Sequence, residues 1–135
     1  FFLKNKCLKN KENTLFSEVK ICSEELKLAG TIDLMIYNSK KNRIYLIDWK
    51  TNLKIKKYGY NQGVKYPGNL IDDCNFNKYQ LQLSMYQYIL EEFYAAHVDA
   101  VYIIHLQDNT YNTMQCDFQK QYIIDMLKAK KEIED

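Results

Sequence analysis

The chain has 135 residues, of which 47% are hydrophobic and 27% charged, and its formal net charge is +2. This length suits one ordinary domain with a buried core, so residues 1–135 are expected to form a single domain. The sequence lacks an apolar run of about 18 residues, which excludes a predicted membrane span, and its basic start lacks the apolar core of a signal peptide. A soluble protein of a reducing intracellular compartment, cytoplasm or nucleus, is therefore expected.

The cysteines and the first residues bear on how the domain is built. Cys7, Cys22, Cys74 and Cys116 are scattered, without a C-x-x-C pair. That spacing argues against a zinc knuckle and against a disulfide framework, so free thiols are expected. The opening Phe1–Phe2 is typical of a chain cut inside an element, and we expect the domain to be truncated on its N-terminal side.

The first predicted strand covers residues 14–22 and turns back towards Leu26–Gly30. If the turn is centred within Glu24–Glu25, Glu18 faces Thr31 and lies one diagonal away from Asp33. At that distance Glu18 is a candidate third metal ligand. The alternative is an ordinary exposed glutamate on a strand.

A β-hairpin follows, with strands at residues 31–37 and 44–51 and a polar turn between them. If this turn is centred within Lys40–Lys41, Asp33 lies directly opposite Asp48, with the side chains roughly 5 Å apart. Like charges opposed in this way destabilise a sheet. A compensating feature is therefore expected nearby.

Lys50 can compensate the repulsion between the two aspartates. Side chains alternate along a strand, so Lys50 lies on the same face as Asp48, two residues further on. The neighbouring positions are apolar, and buried carboxylates need a compensating cation. Paired carboxylate oxygens suit Mg²⁺ or Mn²⁺, and a nearby lysine can stabilise developing negative charge. Phosphodiester hydrolysis is the chemistry indicated. The alternative is a surface hairpin with an exposed acidic face and a salt bridge from Lys50.

Residues 52–78 contain three of the four glycines and the only proline, which predicts a long loop. Residues 40–66 carry seven lysines and one arginine against the single Asp48. Lysines interleaved with tyrosines suit contacts with the backbone and bases of a nucleic acid. The candidate binding residues of this loop are Lys54, Lys56, Lys57, Tyr58 and Tyr60. The alternative is a solvated lysine-rich loop.

Helical periodicity predicts the principal helix over residues 78–96. Gln82 and Tyr86 lie one turn apart on it, which makes them neighbours. Strands are predicted over 98–106 and, more weakly, over 110–117, and an amphipathic helix closes the chain from 118 to 133.

Three of these segments together resemble the PD-(D/E)XK nuclease superfamily, in particular its RecB-type exonuclease branch. The matching motifs are G-x-x-D at Gly30–Asp33, D-x-K at Asp48–Lys50 and Q-x-x-x-Y at Gln82–Tyr86. The resemblance covers about residues 18–94. It implies that Asp33 and Asp48 bind metal, that Lys50 is the catalytic lysine, and that Gln82 and Tyr86 act beside the site or the DNA. Family members usually add an acidic residue from the preceding strand, and Glu18 is the candidate.

The resemblance implies an α/β fold with a restriction-endonuclease-like core, a mixed central sheet in the order strand, strand, strand, helix, strand, flanked by helices. The expected activity is Mg²⁺- or Mn²⁺-dependent cleavage of DNA, single- or double-stranded, more in the manner of an exonuclease. A helicase or a replication or recombination protein is a further expected partner. Two alternatives stay open: a nucleic-acid-binding domain that does not cleave, and an RNA endonuclease.

Overall fold

A computed structural model describes residues 12–51 and 75–134. The chain first forms three strands, β1 (Asn13–Ser23), β2 (Leu28–Asn38) and β3 (Arg43–Lys50). Helix α1 (Asn75–Phe93), strands β4 (Val98–Leu106) and β5 (Tyr111–Cys116), and helix α2 (Lys120–Glu134) follow. The described residues therefore form a mixed α/β fold, and each predicted strand and helix is present within a few residues of its predicted bounds.

One five-stranded sheet runs in the order β1-β2-β3-β4-β5. Neighbouring strands are antiparallel except for β3 and β4, which are parallel. Parallel neighbours need a crossover connection, and α1 lies in the segment between them. The mixed sheet is therefore confirmed. The crossover also brings α1 over the sheet face that carries the side chains of Asp48 and Lys50.

The main core lies between the sheet and the helices. Ile32, Leu46 and Ile103 are completely buried there, together with Leu83 and Ile89 of α1. Each fully buried aliphatic side chain of this size stabilises the fold by roughly 1.5–3 kcal/mol. A second apolar cluster, built on Leu34, Ile36, Ile47 and Ile104, lies on the opposite side of β2, β3 and β4. Apolar burial on both faces explains the near-continuous apolar sequence of β4.

Both turns that precede the site place a non-glycine residue in the left-handed region. Lys27 has φ 56° in the β1–β2 turn, and Asn42 has φ 53° in the β2–β3 turn. Asn42 also accepts a hydrogen bond from the Tyr37 hydroxyl at 2.8 Å. Asparagine tolerates this conformation better than lysine does, so only the second turn is indicated by its sequence.

Two of the four cysteines fall within the described residues, and both are free thiols as expected. Cys22 is exposed, whereas Cys116 is buried. Burial, and then the negative charges of Asp117 and Asp48, raise the pKa of the Cys116 thiol to about 12. The Cys116 thiol is therefore neutral at every physiological pH.

Candidate functional site

Asp48 and Lys50 lie at the end of β3, on the sheet face that α1 covers. Asp48 is only 8% exposed. Lys50 Nζ lies 2.9 Å from Asp48 Oδ2 and forms an ion pair with it. Apart from that ion pair, Asp48 Oδ2 has no hydrogen-bond partner among residues 12–51 and 75–134. A buried carboxylate oxygen with so few partners is costly to leave charged.

The surroundings of Asp48 change its acidity. Burial is the largest cause, followed by hydrogen bonding with the carboxyl group of Asp33, and together they raise the pKa of Asp48 to about 6. The neighbouring Lys50 opposes this shift without cancelling it. The carboxyl groups of Asp33 and Asp48 and the ammonium group of Lys50 thus lie close together in a partly buried site, as the sequence predicted. Such perturbed acids concentrate at functional sites.

Strand β2 places Asp33 beside Asp48. The pairing between β2 and β3 ends at Leu34 opposite Ile47, which is the register that brings Asp33 and Asp48 next to each other. Asp33 Oδ2 accepts a hydrogen bond from the backbone N–H of Trp49 at 2.9 Å. This bond fixes the Asp33 carboxyl group against β3. The predicted hairpin register is confirmed, and the two acidic side chains are close together.

Tyr79 of α1 is a residue of the site that the sequence analysis missed. Lys50 Nζ lies 4.2 Å from the centroid of the Tyr79 ring. At this distance the ring face attracts the ammonium group. Lys50 is therefore held from two sides, by the Asp48 carboxylate and by the Tyr79 ring. The sequence shows only a tyrosine in a tyrosine-rich helix, and nothing in it separates Tyr79 from the other tyrosines of α1.

Gln82 and Tyr86 contact each other, as their spacing predicts. Gln82 Nε2 donates a hydrogen bond to the Tyr86 hydroxyl at 2.9 Å. The Tyr86 ring is buried and lies directly over Gly30, where any Cβ atom would overlap it. Gly30 is thus required for close approach of the ring, and two of the three sequence motifs meet at this contact. The roles of Gln82 and Tyr86 in chemistry or DNA binding stay predictions.

The predicted register of Glu18 was wrong. The β1–β2 pairs show Lys20, and not Glu18, opposite Thr31. Glu18 lies between the pairs Ser17–Leu34 and Val19–Ile32, at the position across from Asp33. It has φ 52° and is exposed. The turn is two residues longer on the β2 side than predicted, which moves every β1 residue relative to its partner.

The residues present fit a hard divalent cation with two protein ligands. Asp33 and Asp48 supply carboxylate oxygens, and Asp48 Oδ2 has only its ion pair with Lys50. Mg²⁺ commonly binds through one or two carboxylates and takes its other ligands from water and substrate phosphate. Within the described part of the chain, no group of three or more histidine, cysteine, aspartate or glutamate residues is arranged to hold a metal. Glu18 as a third ligand therefore stays a prediction.

Several predicted functional residues lie outside the part of the chain that the structure describes. These are the nucleic-acid-binding candidates Lys54, Lys56, Lys57, Tyr58 and Tyr60. The comparisons with known proteins add no residue to the site, since no protein-family model matches the chain and no curated protein matches it.

In the described residues, neither helix has the length and apolar character needed to cross a membrane.

Proposed function

We propose that this protein is a divalent-metal-dependent nuclease that hydrolyses the phosphodiester bonds of DNA. The observation that carries the proposal is the convergence of Asp33, Asp48 and Lys50 from two adjacent strands, with Asp48 buried and its pKa raised to about 6. A purely structural ion pair does not need a second carboxyl group beside it. Two carboxyl groups can bind a divalent cation, and a lysine beside them can stabilise the negative charge of the transition state.

Asp33 and Asp48 would hold Mg²⁺ or Mn²⁺. The bound cation would supply charge neutralisation at the scissile phosphate and would lower the pKa of an attacking water. The Trp49 N–H keeps the Asp33 carboxyl group in place beside Asp48. Asp48 is kept in place by its position at the end of β3 and by Lys50.

Lys50 would stabilise the negative charge that develops on the phosphate oxygens. Its side chain is 20% exposed, and the Tyr79 ring and Asp48 limit its movement. A preoriented cation of this kind acts without reorganisation during the reaction. Tyr79 would therefore be a positioning residue, acting through Lys50.

The proposal also includes the type of nuclease fold, the mode of cleavage and the partner. The element order β1-β2-β3-α1-β4 agrees with the order that the resemblance implies, and the three segments that carry the resemblance lie on β2, β3 and α1, which supports a restriction-endonuclease-like core. Exonucleolytic action and a helicase or a replication or recombination protein as partner are carried by that resemblance alone.

A second candidate function is a nucleic-acid-binding domain of the same fold that does not cleave. The observation that favours it is that, among residues 12–51 and 75–134, no group of three or more histidine, cysteine, aspartate or glutamate residues is arranged to hold a metal. Against it stands the convergence of Asp33, Asp48 and Lys50, because Lys50 compensates one carboxylate and a second carboxyl group lies beside the pair.

Incubation with Mn²⁺ and end-labelled single-stranded DNA, double-stranded DNA and RNA tests both candidates and the RNA endonuclease alternative. We expect DNA cleavage by the parent protein and a loss of about 100-fold or more in Asp48→Asn, since a ligand is removed. Lys50→Gln should lower the rate with little effect on metal affinity. Asp108→Asn changes an exposed aspartate of the β4–β5 turn and is the matched control. Cleavage by Asp48→Asn at the parent rate would exclude the proposed site.

A further inference from the structure

A groove separates the β1–β2 turn from α2, away from the residues of the candidate site. Its volume is about 490 Å³, and it is lined by the turn, by one residue of α1 and by residues 124–131 of α2. This volume falls in the ~300–1,000 Å³ range of pockets that hold small ligands. The groove is therefore large enough for part of a flexible polymer or for a small anion.

The charge of the lining is strongly positive. Four lysines, Lys27, Lys128, Lys130 and Lys131, line the groove against one acidic residue, Glu25, among the residues described. The whole chain has a net charge of only +2, so this is a local concentration of positive charge. Such a concentration attracts anions and raises the rate at which they associate.

The lysines differ in how they are held. Lys130 Nζ donates a hydrogen bond to the backbone carbonyl of Leu26 at 3.2 Å and so ties α2 to the β1–β2 turn. Lys27, Lys128 and Lys131 are exposed. Lys128 and Lys131 lie on the same side of α2, with a rise of about 4.5 Å between them. Two exposed lysines on one side of a helix can contact phosphates of the same strand.

The rest of the lining is aromatic and aliphatic. Tyr88 of α1 and Ile124 and Leu127 of α2 are half-buried and form this part of the groove. An aromatic ring beside a row of lysines suits a nucleic acid, because the lysines neutralise phosphates while the ring contacts a base or sugar. An acidic peptide could use the same lysines, and competition with poly-glutamate distinguishes it from a nucleic acid.

We propose that this groove binds the phosphate backbone of a nucleic-acid strand, as a contact additional to the candidate site. The proposal rests on the proposed function, since a nuclease must hold its substrate beyond the scissile phosphate. Binding is sequence-independent and sensitive to salt, because charge neutralisation supplies most of its free energy.

The test measures binding without chemistry, by fluorescence anisotropy of a labelled single-stranded oligonucleotide in EDTA over a salt series. One triple variant carries Lys27→Gln, Lys128→Gln and Lys131→Gln, and Lys130 is kept because it ties α2 to the turn. The control carries Lys20→Gln, Lys40→Gln and Lys41→Gln, which removes the same charge from exposed positions outside the groove. The melting temperature of each variant checks that it folds.

We expect the groove variant to bind at least tenfold more weakly at low salt. The slope of the logarithm of the binding constant against the logarithm of the salt concentration should become shallower by about 2. Roughly 0.7 counterions are released per phosphate contact on a single strand, and three lysines are removed. The control should keep the parent affinity within about twofold. If the triple variant has a lower melting temperature than the parent, the single variants Lys128→Glu and Lys131→Glu are measured in the same way. Each should weaken binding.

Equal losses in the groove variant and the control would overturn the proposal, because overall charge would then explain them. Unchanged affinity in the groove variant would overturn it as well, and so would displacement of the oligonucleotide by poly-glutamate as readily as by unlabelled DNA. Cleavage is scored separately with Mn²⁺. A parent protein that binds through the groove but cleaves nothing would contradict the proposed nuclease function and leave the groove assignment standing.

Discussion

Asp48 makes the stability of the metal-free protein depend on pH. Its pKa is about 6 in the folded protein, against 3.8 for an ordinary aspartate, so the folded state binds the proton more tightly than the unfolded state. The stabilising contribution of protonated Asp48 is present below pH 4 and is lost as the pH rises through 6. We therefore expect the free energy of unfolding to fall between pH 4 and pH 7 in EDTA, measured by urea titration.

The comparison with Asp48→Asn isolates this effect. Asparagine has no charge to bury, so the decrease between pH 4 and pH 7 should be clearly smaller in that variant. Asp108→Asn, in the exposed β4–β5 turn, should behave like the parent. The same pH profile in all three proteins would show that the environment of Asp48 does not disfavour its charge.

Tyr79 provides a second test at a single residue. Tyr79→Phe keeps the ring face over Lys50, whereas Tyr79→Leu removes it. We expect Tyr79→Leu to lower kcat about tenfold with a nearly unchanged KM, and Tyr79→Phe to stay close to the parent, because the attraction depends on the ring and is worth roughly 0.5–2 kcal/mol.

A spectroscopic measurement keeps this prediction independent of cleavage. The Lys50 side-chain protons near the ring should show an upfield ring-current shift in the NMR spectrum of the parent and of Tyr79→Phe, and lose it in Tyr79→Leu. An unshifted Lys50 in the parent would contradict the contact.

At the scale of elements, the Gly30–Tyr86 contact joins β2 to α1. A Cβ atom at Gly30 would overlap the Tyr86 ring, and the φ of Gly30 is not positive, so glycine is needed here for space. Gly30→Ala should destabilise the protein by roughly 1–3 kcal/mol through overpacking. In a Tyr86→Leu background the added methyl group should cost less, and a thermodynamic cycle in urea measures the coupling. Additive effects of the two changes would contradict the contact.

The two hairpins show how far a sequence predicts strand register. The β2–β3 turn was placed correctly because its asparagines act locally: Asn38 Oδ1 accepts a hydrogen bond from the Lys41 N–H at 2.9 Å, and Asn42 takes the left-handed conformation. The β1–β2 turn was misplaced. There Lys27 takes that conformation, and lysine gives no signal for it. The sequence analysis therefore placed Glu18 opposite Thr31, whereas in the structure Glu18 lies across from Asp33.

At the scale of the whole molecule, α1 carries polar contacts that its sequence does not reveal. Gln80 and Ser84 are buried, and they bond to the segment between β5 and α2. The Asp117 N–H donates to Gln80 Oε1 at 2.8 Å, and the Gln119 N–H donates to Ser84 Oγ at 3.1 Å. The element types, the acidic pair and Lys50 could be predicted because they depend on periodicity and local spacing. Tyr79 and this network depend on how α1 docks, which periodicity does not determine.

Divalent cations should stabilise the whole protein, since Asp33 and Asp48 repel each other when both are charged. A cation at ten times its Kd adds about 1.4 kcal/mol to the free energy of unfolding, which is roughly 3–6 °C in Tm for a domain of this size. Differential scanning fluorimetry with Mg²⁺ or Mn²⁺, against KCl of equal ionic strength, measures the shift. Asp108→Asn should show the same shift as the parent.

Asp33→Asn separates a metal ligand from a structural carboxylate. Asparagine keeps an oxygen that can accept the Trp49 N–H bond, and it removes the charge beside Asp48. The variant should therefore melt higher than the parent in EDTA at pH 8, which lies above the pKa of Asp48, and it should lose the shift caused by the cation. A metal-free Asp33→Asn that is destabilised by about 2 kcal/mol or more would show that the charge of Asp33 supports the fold, because the hydrogen bond to β3 is preserved while only the charge is lost.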